Sequence, residues 1–522
     1  MNYRIIYSRF ELRVVIVNRA AGILLPVSSL PSPYGIGTIG KAANNFVDFL
    51  HAAGQRYWQV LPIGPTGFGD SPYQSFSAFA GNPYFIDIDT LADRGLLTPD
   101  EIEQADAGSN EAYVDYEKVY YKRFPLLKQA FSRFNPSEKD FTDFCIAQSG
   151  WLDDYAAYMA IKEHFGQRDF QSWDDHIRLY RPRAVRYYKK LLAREMLFWQ
   201  FCQYEFFTQW NALKSYANQN GISLIGDIPI YVSGDGADVW ANRELFQMDA
   251  DGRPDYIAGV PPDYFSETGQ RWGNPLYNWQ TMEADGFVWW KRRIASCAKL
   301  FDVIRIDHFI GIARYYSIAS GCKTAIDGQW KPGPGEKLIA AIDSAVGNAR
   351  IIAEDLGVLH PSVKSLLEKS GYPGMKVLLF AADGSEDNPH IPYKYDKNTT
   401  VYIGTHDNDT VAGFCKKQKS KDLRYLMDYF GAKTKEQLPL ALIKGAFGSV
   451  ADTAVVQLQD WLELDNSART NTPSTIGFNW VWRVLEDQLT PALADRIKAI
   501  TDLYGRAQPP TRLKIYKETA TR

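Results

Sequence analysis

Short, almost continuous apolar runs of strand length recur along the chain, and each run ends in turn or polar residues. Because apolar and polar residues do not alternate in them, these runs are typical of strands covered on both faces, as in a parallel sheet. Helical patterns lie between them, for example at 42–54 and 362–371. The eight runs occupy 22–29, 56–63, 223–230, 301–307, 349–355, 374–380, 400–407 and 454–460.

Eight strands with intervening helices predict an α/β protein built as a (β/α)8 TIM barrel. An open doubly wound sheet is the alternative, but it is weakened because no glycine-rich phosphate-binding fingerprint follows the first run. A bare barrel needs roughly 250 residues, whereas this chain has 522. Large insertions between the strands are therefore expected.

Three segments are predicted to be insertions within a single catalytic barrel domain over 21–522. Segment 90–219 is predicted to be helical, because its acidic start is followed by an aromatic and basic stretch. Segment 231–290 is rich in Gly, Pro, Trp and Tyr and is predicted to be ordered loop, while 411–453 is predicted to be helical. After about 483 only one helix and a polar tail are expected, too little for a C-terminal β-sandwich of roughly 100 residues.

The charge balance indicates a neutral substrate. Lys and Arg total 58 against 61 Asp and Glu, a net charge of −3, so there is no basic surface for nucleic acid and no polybasic membrane patch. No apolar stretch reaches membrane-spanning length. Aromatic residues make up 14% of the chain. Most are expected in the core, and some are expected to line a groove for a ligand with apolar faces and polar edges, such as a sugar chain.

The five cysteines show neither a CxxC motif nor a Cys/His cluster at zinc spacing. They are predicted to be buried thiols in a reducing compartment. Because the N-terminus also lacks a signal-peptide core, a cytoplasmic location is predicted, with an Arg-containing but Ser-poor organellar transit peptide as the alternative. No metal or cofactor is predicted, since no acidic loop of the calcium-binding type occurs. The cysteines are Cys145, Cys202, Cys297, Cys322 and Cys415.

Acidic residues follow four of the predicted strands. A single carboxylate after a strand is more often a helix cap or a loop ligand than a catalytic group. Several at one barrel mouth are harder to explain that way, because catalytic groups sit at the carboxyl ends of barrel strands. The acids and their neighbours are Asp227, Asp307 with His308, Glu354 with Asp355, and Asp407 with His406.

Arg305 is a charged residue inside the fourth apolar run. Side chains alternate along a strand, so Arg305 and Asp307 share the face toward the barrel axis while Ile304 and Ile306 face the helices. A buried guanidinium is costly unless paired, and pairing would keep Asp307 ionised, as a nucleophile requires. A purely architectural Arg–Asp pair is the alternative.

Glu354 suits a different role. A neighbouring acid, Asp307 or Asp355, and partial burial are expected to raise its pKa, as a group that donates and later recovers a proton requires. Two carboxyl groups in these two roles, about 5 Å apart, are the retaining route of glycoside chemistry. Asp407 would then hold ring hydroxyls and favour the distorted sugar.

Three of these segments, RIDH (305–308), AEDLG (353–357) and GTHDN (404–408), resemble the catalytic segments of the α-amylase clan. Further segments resemble the 4-α-glucanotransferases, also called amylomaltases or disproportionating enzymes, and the similarity runs from about 22 to 505. The most specific is GVPPDYFSETGQRWGNPLY. The others include SSLPSPYGIGTIG, GDSPYQSFSAFAGNPYFID, GDIPIYV and NWVWR.

The resemblance implies roles for individual residues. Asp307 matches the nucleophile, Glu354 the acid/base and Asp407 the transition-state stabiliser. Plain packing is the usual alternative for each aromatic residue among the rest. The residues that match positions near bound glucan are Tyr73, Asp227, Asp263, Tyr264, Phe265, Trp272, Arg305, His308 and His406.

The resemblance further implies transfer of α-1,4-glucan segments from malto-oligosaccharides, starch or glycogen-derived glucans, by a monomer or weak homodimer. Segment 259–269 is expected to cover the acceptor side and keep water out. An amylase-like hydrolase and a non-catalytic glucan-binding protein are the two alternatives. Residues 1–20 have no counterpart in the family, and either a disordered extension or a mis-assigned start is expected there.

Overall fold

The computed structural model describes residues 19–109, 111–262, 266–357 and 360–507. The first 18 residues of the expected N-terminal extension therefore lie outside the described residues. Its last residue does not belong to an extension, because Ala20 begins the first strand and is buried.

Eight parallel strands form the centre of the molecule, and each overlaps one of the eight apolar runs. Neighbours in sequence are neighbours in the sheet, and the eighth strand pairs with the first. The Ala353 N–H donates to the Pro373 carbonyl at 2.9 Å, which joins the fifth strand to the sixth and closes the barrel. In chain order the barrel strands are Ala20–Leu24, Tyr57–Gln59, Ser223–Pro229, Val303–Asp307, Arg350–Ala353, Gly374–Val377, Thr399–Tyr402 and Thr453–Gln457.

Helices surround this barrel because their apolar residues recur on one face. In Lys41–Ala52 the buried residues include Ala43, Phe46, Val47 and Leu50, the three- and four-residue spacing of a helix that packs on a core. The α-helices are Lys41–Ala52, Ile88–Asp93, Pro99–Ala105, Tyr116–Arg133, Lys139–Ala147, Leu152–His164, Asp175–Arg178, Pro182–Leu191, Ala193–Gln219, Ala237–Ala241, Trp279–Ala284, Val288–Leu300, Ile310–Ala313, Glu336–Ala345, Pro361–Ser370, Val411–Lys417, Ser420–Phe430, Leu438–Gly448, Leu458–Trp461 and Pro491–Leu503. In the part of the chain that the structure describes, none of them could span a membrane.

The prediction of ordered loop for 231–290 is partly wrong. This segment contains two strands, Tyr256–Val260 and Gln270–Pro275, in a four-stranded antiparallel sheet that is separate from the barrel. Its other strands, Arg314–Ala319 and Gln329–Pro332, follow the fourth barrel strand. Glycine, proline and polar residues interrupt these strands, so their sequence lacks the apolar alternation that predicts a sheet. Pairing with a distant segment forms them.

Candidate active site

Arg305 lies in the floor of the barrel mouth between two acids. Its Nη1 contacts both carboxylate oxygens of Asp227 at 2.7 Å and Asp307 Oδ1 at 3.0 Å. Ile304 and Ile306 are fully buried. The predicted Arg305–Asp307 pair is therefore present, but Asp227 is the closer partner. The register explains this, because Asp227 lies directly opposite Arg305 on the neighbouring strand.

The side chain of Asp227 has no exposed surface, whereas that of Asp307 is 28% exposed. Asp227 also accepts a hydrogen bond from the Tyr73 hydroxyl at 2.9 Å. Both of its oxygens are thus occupied by protein donors. Asp227 therefore orients Arg305 and Tyr73, and its predicted place near bound glucan stays a prediction.

Glu354 is buried beside Asp307. Its Oε2 accepts the His308 N–H at 2.7 Å, and its Oε1 accepts the Leu356 N–H at 2.8 Å. Burial, and then the charge of Asp307, raise the pKa of Glu354 to about 8, although Arg305 and the two N–H donors oppose the shift. The predicted direction is correct, and burial is the larger cause.

Asp355 was the other acid that the sequence offered as a neighbour for Glu354. Its Oδ1 accepts the Met375 N–H at 2.7 Å, so this carboxyl group faces the sixth strand. The charge that acts on Glu354 comes from Asp307.

His308 directly follows the fourth strand in the left-handed backbone region, with φ 53°, which is uncommon for a residue with a side chain. Its N–H reaches Glu354 from there. Burial of the ring lowers the pKa of His308 to about 4, so the imidazole is neutral at pH 7. Its Nε2 is buried with no hydrogen-bond partner among the described residues. The ring of the half-buried Trp272 lies perpendicular to the imidazole, with ring centroids 4.8 Å apart.

Asp407 follows the seventh strand, and its side chain is 44% exposed. Its Oδ1 accepts a hydrogen bond from Asn471 Nδ2 at 2.6 Å, and its carbonyl accepts one from Arg469 Nη2 at 2.5 Å. His406 Nε2 lies 3.4 Å from Asp407 Oδ2. Neither Asn471 nor Arg469 was predicted from the sequence, because no spacing signal links residues in a loop 62 and 64 positions away to this acid.

Aromatic rings form one wall of the mouth. The Tyr73 ring stacks on His406 with centroids 5.0 Å apart, and Trp480 lies 5.8 Å from Tyr73 and 5.9 Å from His406. Trp480 was not predicted as a site residue, although it lies within the NWVWR segment that carried the family resemblance.

The structure thus brings together the predicted site residues at one mouth, except that Asp355 faces the sixth strand. The residues brought together are Tyr73, Asp227, Trp272, Arg305, Asp307, His308, Glu354, His406 and Asp407. The predicted residues Asp263, Tyr264 and Phe265 lie outside the described residues. Over the described ranges, no three His, Cys, Asp or Glu side chains form a metal-binding group.

Comparison with known proteins gives a family for this site and fold. Residues 25–488 match the family described as 4-alpha-glucanotransferase. The 4-alpha-glucanotransferase of Streptococcus pneumoniae (serotype 4) is 46% identical over 94% of this chain and 97% of its own length. The one from Thermus thermophilus is 46% identical over 94% and 99%.

A solved structure, the amylomaltase from Streptococcus agalactiae in complex with acarbose, superimposes with a TM-score of 0.91 and 40% identity, over 94% of this chain and all of that one. The amylomaltase from Corynebacterium glutamicum, at 18% identity and a TM-score of 0.74, shares the fold. The predicted barrel and enzyme class are therefore confirmed. This chain belongs to the 4-alpha-glucanotransferase family.

Proposed function

We propose that this chain transfers a segment of an α-1,4-glucan to the 4-hydroxyl of an acceptor glucose or malto-oligosaccharide by a retaining double displacement. The observation that carries this mechanism is a pair of adjacent carboxyl groups in opposite environments. Asp307 is partly exposed and paired with Arg305, whereas Glu354 is buried with its pKa raised to about 8. Two carboxyl groups in such different environments can take the two different roles that this mechanism requires.

In the first step, a carboxylate oxygen of Asp307 attacks the anomeric carbon of the donor. The bond from that carbon to the glycosidic oxygen breaks, and Glu354 gives its proton to the departing oxygen. The products are a covalent glycosyl-enzyme and a shortened glucan with a free 4-hydroxyl. Adjacency of the two groups is supported by the 2.7 Å bond from the N–H of His308, the residue after Asp307, to Glu354.

In the second step, the ionised Glu354 takes the proton of the acceptor 4-hydroxyl. The acceptor oxygen then attacks the anomeric carbon, and the bond to Asp307 breaks. The configuration is retained because each displacement inverts it once. The loss of Asp307's charge on glycosylation removes one cause of the raised Glu354 pKa, so ionisation of Glu354 becomes easier when a base is required.

Asp407 is proposed to stabilise the positive charge that develops on the sugar ring, since its exposed carboxylate is the third acid of the mouth. The neutral ring of His308 is proposed to bond to a sugar hydroxyl through Nε2, which has no partner among the described residues. Tyr73 and Trp272 are proposed to present aromatic faces or edges to the C–H surfaces of the glucan.

Transfer instead of hydrolysis requires that water is kept from the glycosyl-enzyme while an acceptor is held in line. We propose segment 259–269 as the cover that does this. The strands Tyr256–Val260 and Gln270–Pro275 anchor both of its ends, and Trp272 in the second strand reaches His308 at 4.8 Å.

Maltotriose as the only substrate separates the candidate activities. Transfer yields glucose and longer chains with the total of reducing ends unchanged. Hydrolysis raises that total, and a binding protein leaves maltotriose intact. The first result supports the proposal, and either of the others overturns it.

The remaining predictions are proposals of the same kind. The domain boundaries, a monomer or weak homodimer, and a cytoplasmic location stay predictions. The prediction of buried thiols is correct for Cys202, Cys297 and Cys415, whereas Cys145 and Cys322 are half-buried. Light scattering on the purified protein measures the oligomeric state.

A further inference from the structure

The loop after the eighth strand is bonded directly to the proposed transition-state stabiliser. Three hydrogen bonds run from this loop to His406 and Asp407. Asn471 Nδ2 donates to Asp407 Oδ1 at 2.6 Å, the Asn471 N–H donates to the His406 carbonyl at 3.0 Å, and Arg469 Nη2 donates to the Asp407 carbonyl at 2.5 Å. Backbone and side chain of the seventh-strand end are thus both held from one loop.

The loop is itself held in place. Arg469 forms an ion pair with Asp409, and its Nε donates to the Asn471 carbonyl at 2.7 Å. Thr470 is bonded at both ends, because its carbonyl accepts the Trp480 N–H at 2.7 Å and its hydroxyl accepts from Gln459 Nε2 at 2.9 Å. A loop tied in this way can fix the geometry of the group it contacts.

The chemical type of the donor matters as much as its position. A side chain that is 44% exposed samples several rotamers unless something holds it. The amide of Asn471 restrains one oxygen without adding a positive charge, so the full negative charge of Asp407 remains available to the sugar. A Lys or Arg at this position would neutralise part of that charge.

We propose that Asn471, with Arg469 holding the main chain, is the positioning residue that keeps the Asp407 carboxylate oriented toward the transition state. The proposal rests on the role given to Asp407 above. The contact is expected to act on turnover more than on glucan binding, because an oriented charge stabilises the charged transition state and not the neutral ground state.

Two substitutions of Asn471 separate this role from a structural one. In Asn471→Ala, loss of a hydrogen bond to a charged group is expected to lower kcat by about 10- to 100-fold while KM changes less than about threefold. Asn471→Asp keeps the shape but places a second carboxyl group at the 2.6 Å contact. Two carboxyl groups at that distance share one proton, and the protonated group can still donate to the other. The variant is therefore expected to keep activity at low pH and to lose it as the pH rises, when the pair gives up that proton and the two charges repel, so the basic limb of the pH–kcat profile should move to lower pH by at least one pH unit.

The other titratable or charged groups around Asp407 are the same in Asn471→Asp and in the unsubstituted protein, so their effect on the pH profile cancels when the two are compared. These groups are His406 at 3.4 Å, the guanidinium of Arg469 with its partner Asp409, and the Tyr73 hydroxyl, whose pKa is raised in part by the charge of Asp407. Asn218→Asp is the matched control. Asn218 Nδ2 donates to Asp302 Oδ2 at 3.0 Å at the opposite end of the barrel. The substitution Asn218→Asp therefore creates a similar acid pair far from Asp407 and should leave the pH–kcat profile unchanged.

Thermal melts of each variant verify folding, and the isosteric Asn471→Asp keeps the test decisive if Asn471→Ala does not fold. A basic limb that moves to lower pH in Asn471→Asp but not in Asn218→Asp, with a nearly constant KM, supports the proposal. A profile that superimposes on that of the unsubstituted protein overturns it. Asp407→Asn is measured in parallel. If this variant stays active, the role proposed for Asp407 is refuted. If it loses activity, that role stands, and the Asn471 variants then decide the present proposal.

Discussion

Glu354→Gln is the substitution that tests the proposed mechanism most directly. It removes the proton donor while keeping the size of the side chain. Removing a general acid is expected to lower kcat for maltotriose by about 10²- to 10⁴-fold, which corresponds to about 3–5 kcal/mol of transition-state stabilisation. Both oxygens of Glu354 accept backbone N–H groups. One of these donors would meet the new amide NH2, so a loss of about 1–3 kcal/mol in the free energy of unfolding is also expected.

The pH dependence follows from the same residue. With its pKa raised to about 8, Glu354 is mainly protonated at pH 7, and the acid form is lost as the pH rises further. The kcat/KM of the unsubstituted protein should therefore fall about tenfold per pH unit above roughly pH 8. In Glu354→Gln this basic limb should be absent, because the titrating group has been removed.

A donor with a good leaving group completes the assay. The fluoride of α-maltosyl fluoride leaves without a proton. Its cleavage rate with Glu354→Gln should therefore remain within about tenfold of the rate with the unsubstituted protein, while the turnover of maltotriose falls as stated above. Glu368→Gln, an exposed glutamate on the helix Pro361–Ser370, is the control and should change neither rate. The assignment of Glu354 as the acid would be refuted if Glu354→Gln lost activity equally on both substrates, or if its pH–rate profile kept the basic limb.

Three further predictions follow. Asp307→Asn should lower turnover by several orders of magnitude while glucan binding, measured by calorimetry, persists; near-normal turnover would remove Asp307 from its role. Shortening 262–268 should raise the ratio of hydrolysis to transfer on maltotriose, and an unchanged ratio would count against the cover. Asp460 is buried, and burial raises its pKa to about 7, opposed by the Val411 N–H. Its contribution to stability is therefore present below its unfolded pKa of 3.8 and is lost as the pH rises through about 7, by roughly 4 kcal/mol. Roughly 3 kcal/mol of this loss falls between pH 5 and pH 8, so in denaturant titrations at these two pH values Asp460→Asn should lose about that much less stability than the unsubstituted protein. An equal change in the free energy of unfolding for the two proteins would contradict the prediction.

Much of the barrel could be predicted because its signal is local. Every apolar run became a strand, and 223–230 matches Ser223–Pro229 almost to the residue. The antiparallel sheet could not be predicted in this way, because Tyr256–Val260 pairs with Arg314–Ala319 far along the chain. A strand that forms through such distant pairing needs no apolar pattern of its own.

The same distinction between local and distant signals applies to the active site. Alternation along one strand was enough to place Arg305 and Asp307 on a common face, because side-chain direction in a strand depends only on position. The sequence did not indicate that Asp227 would be the closer partner of Arg305, since that contact depends on the register between two strands.

By itself, the sequence determined the barrel, the three acids at its mouth and the enzyme family, because strand periodicity and motif residues are properties of short segments. The tertiary structure alone decided how strongly Glu354 is buried, that Asp227 contacts both Arg305 and Tyr73, and that Asn471 reaches Asp407 across 64 positions. The physical reason is that burial, desolvation and hydrogen bonding are set by whatever packs around a group, and in a barrel those neighbours come from distant strands and loops.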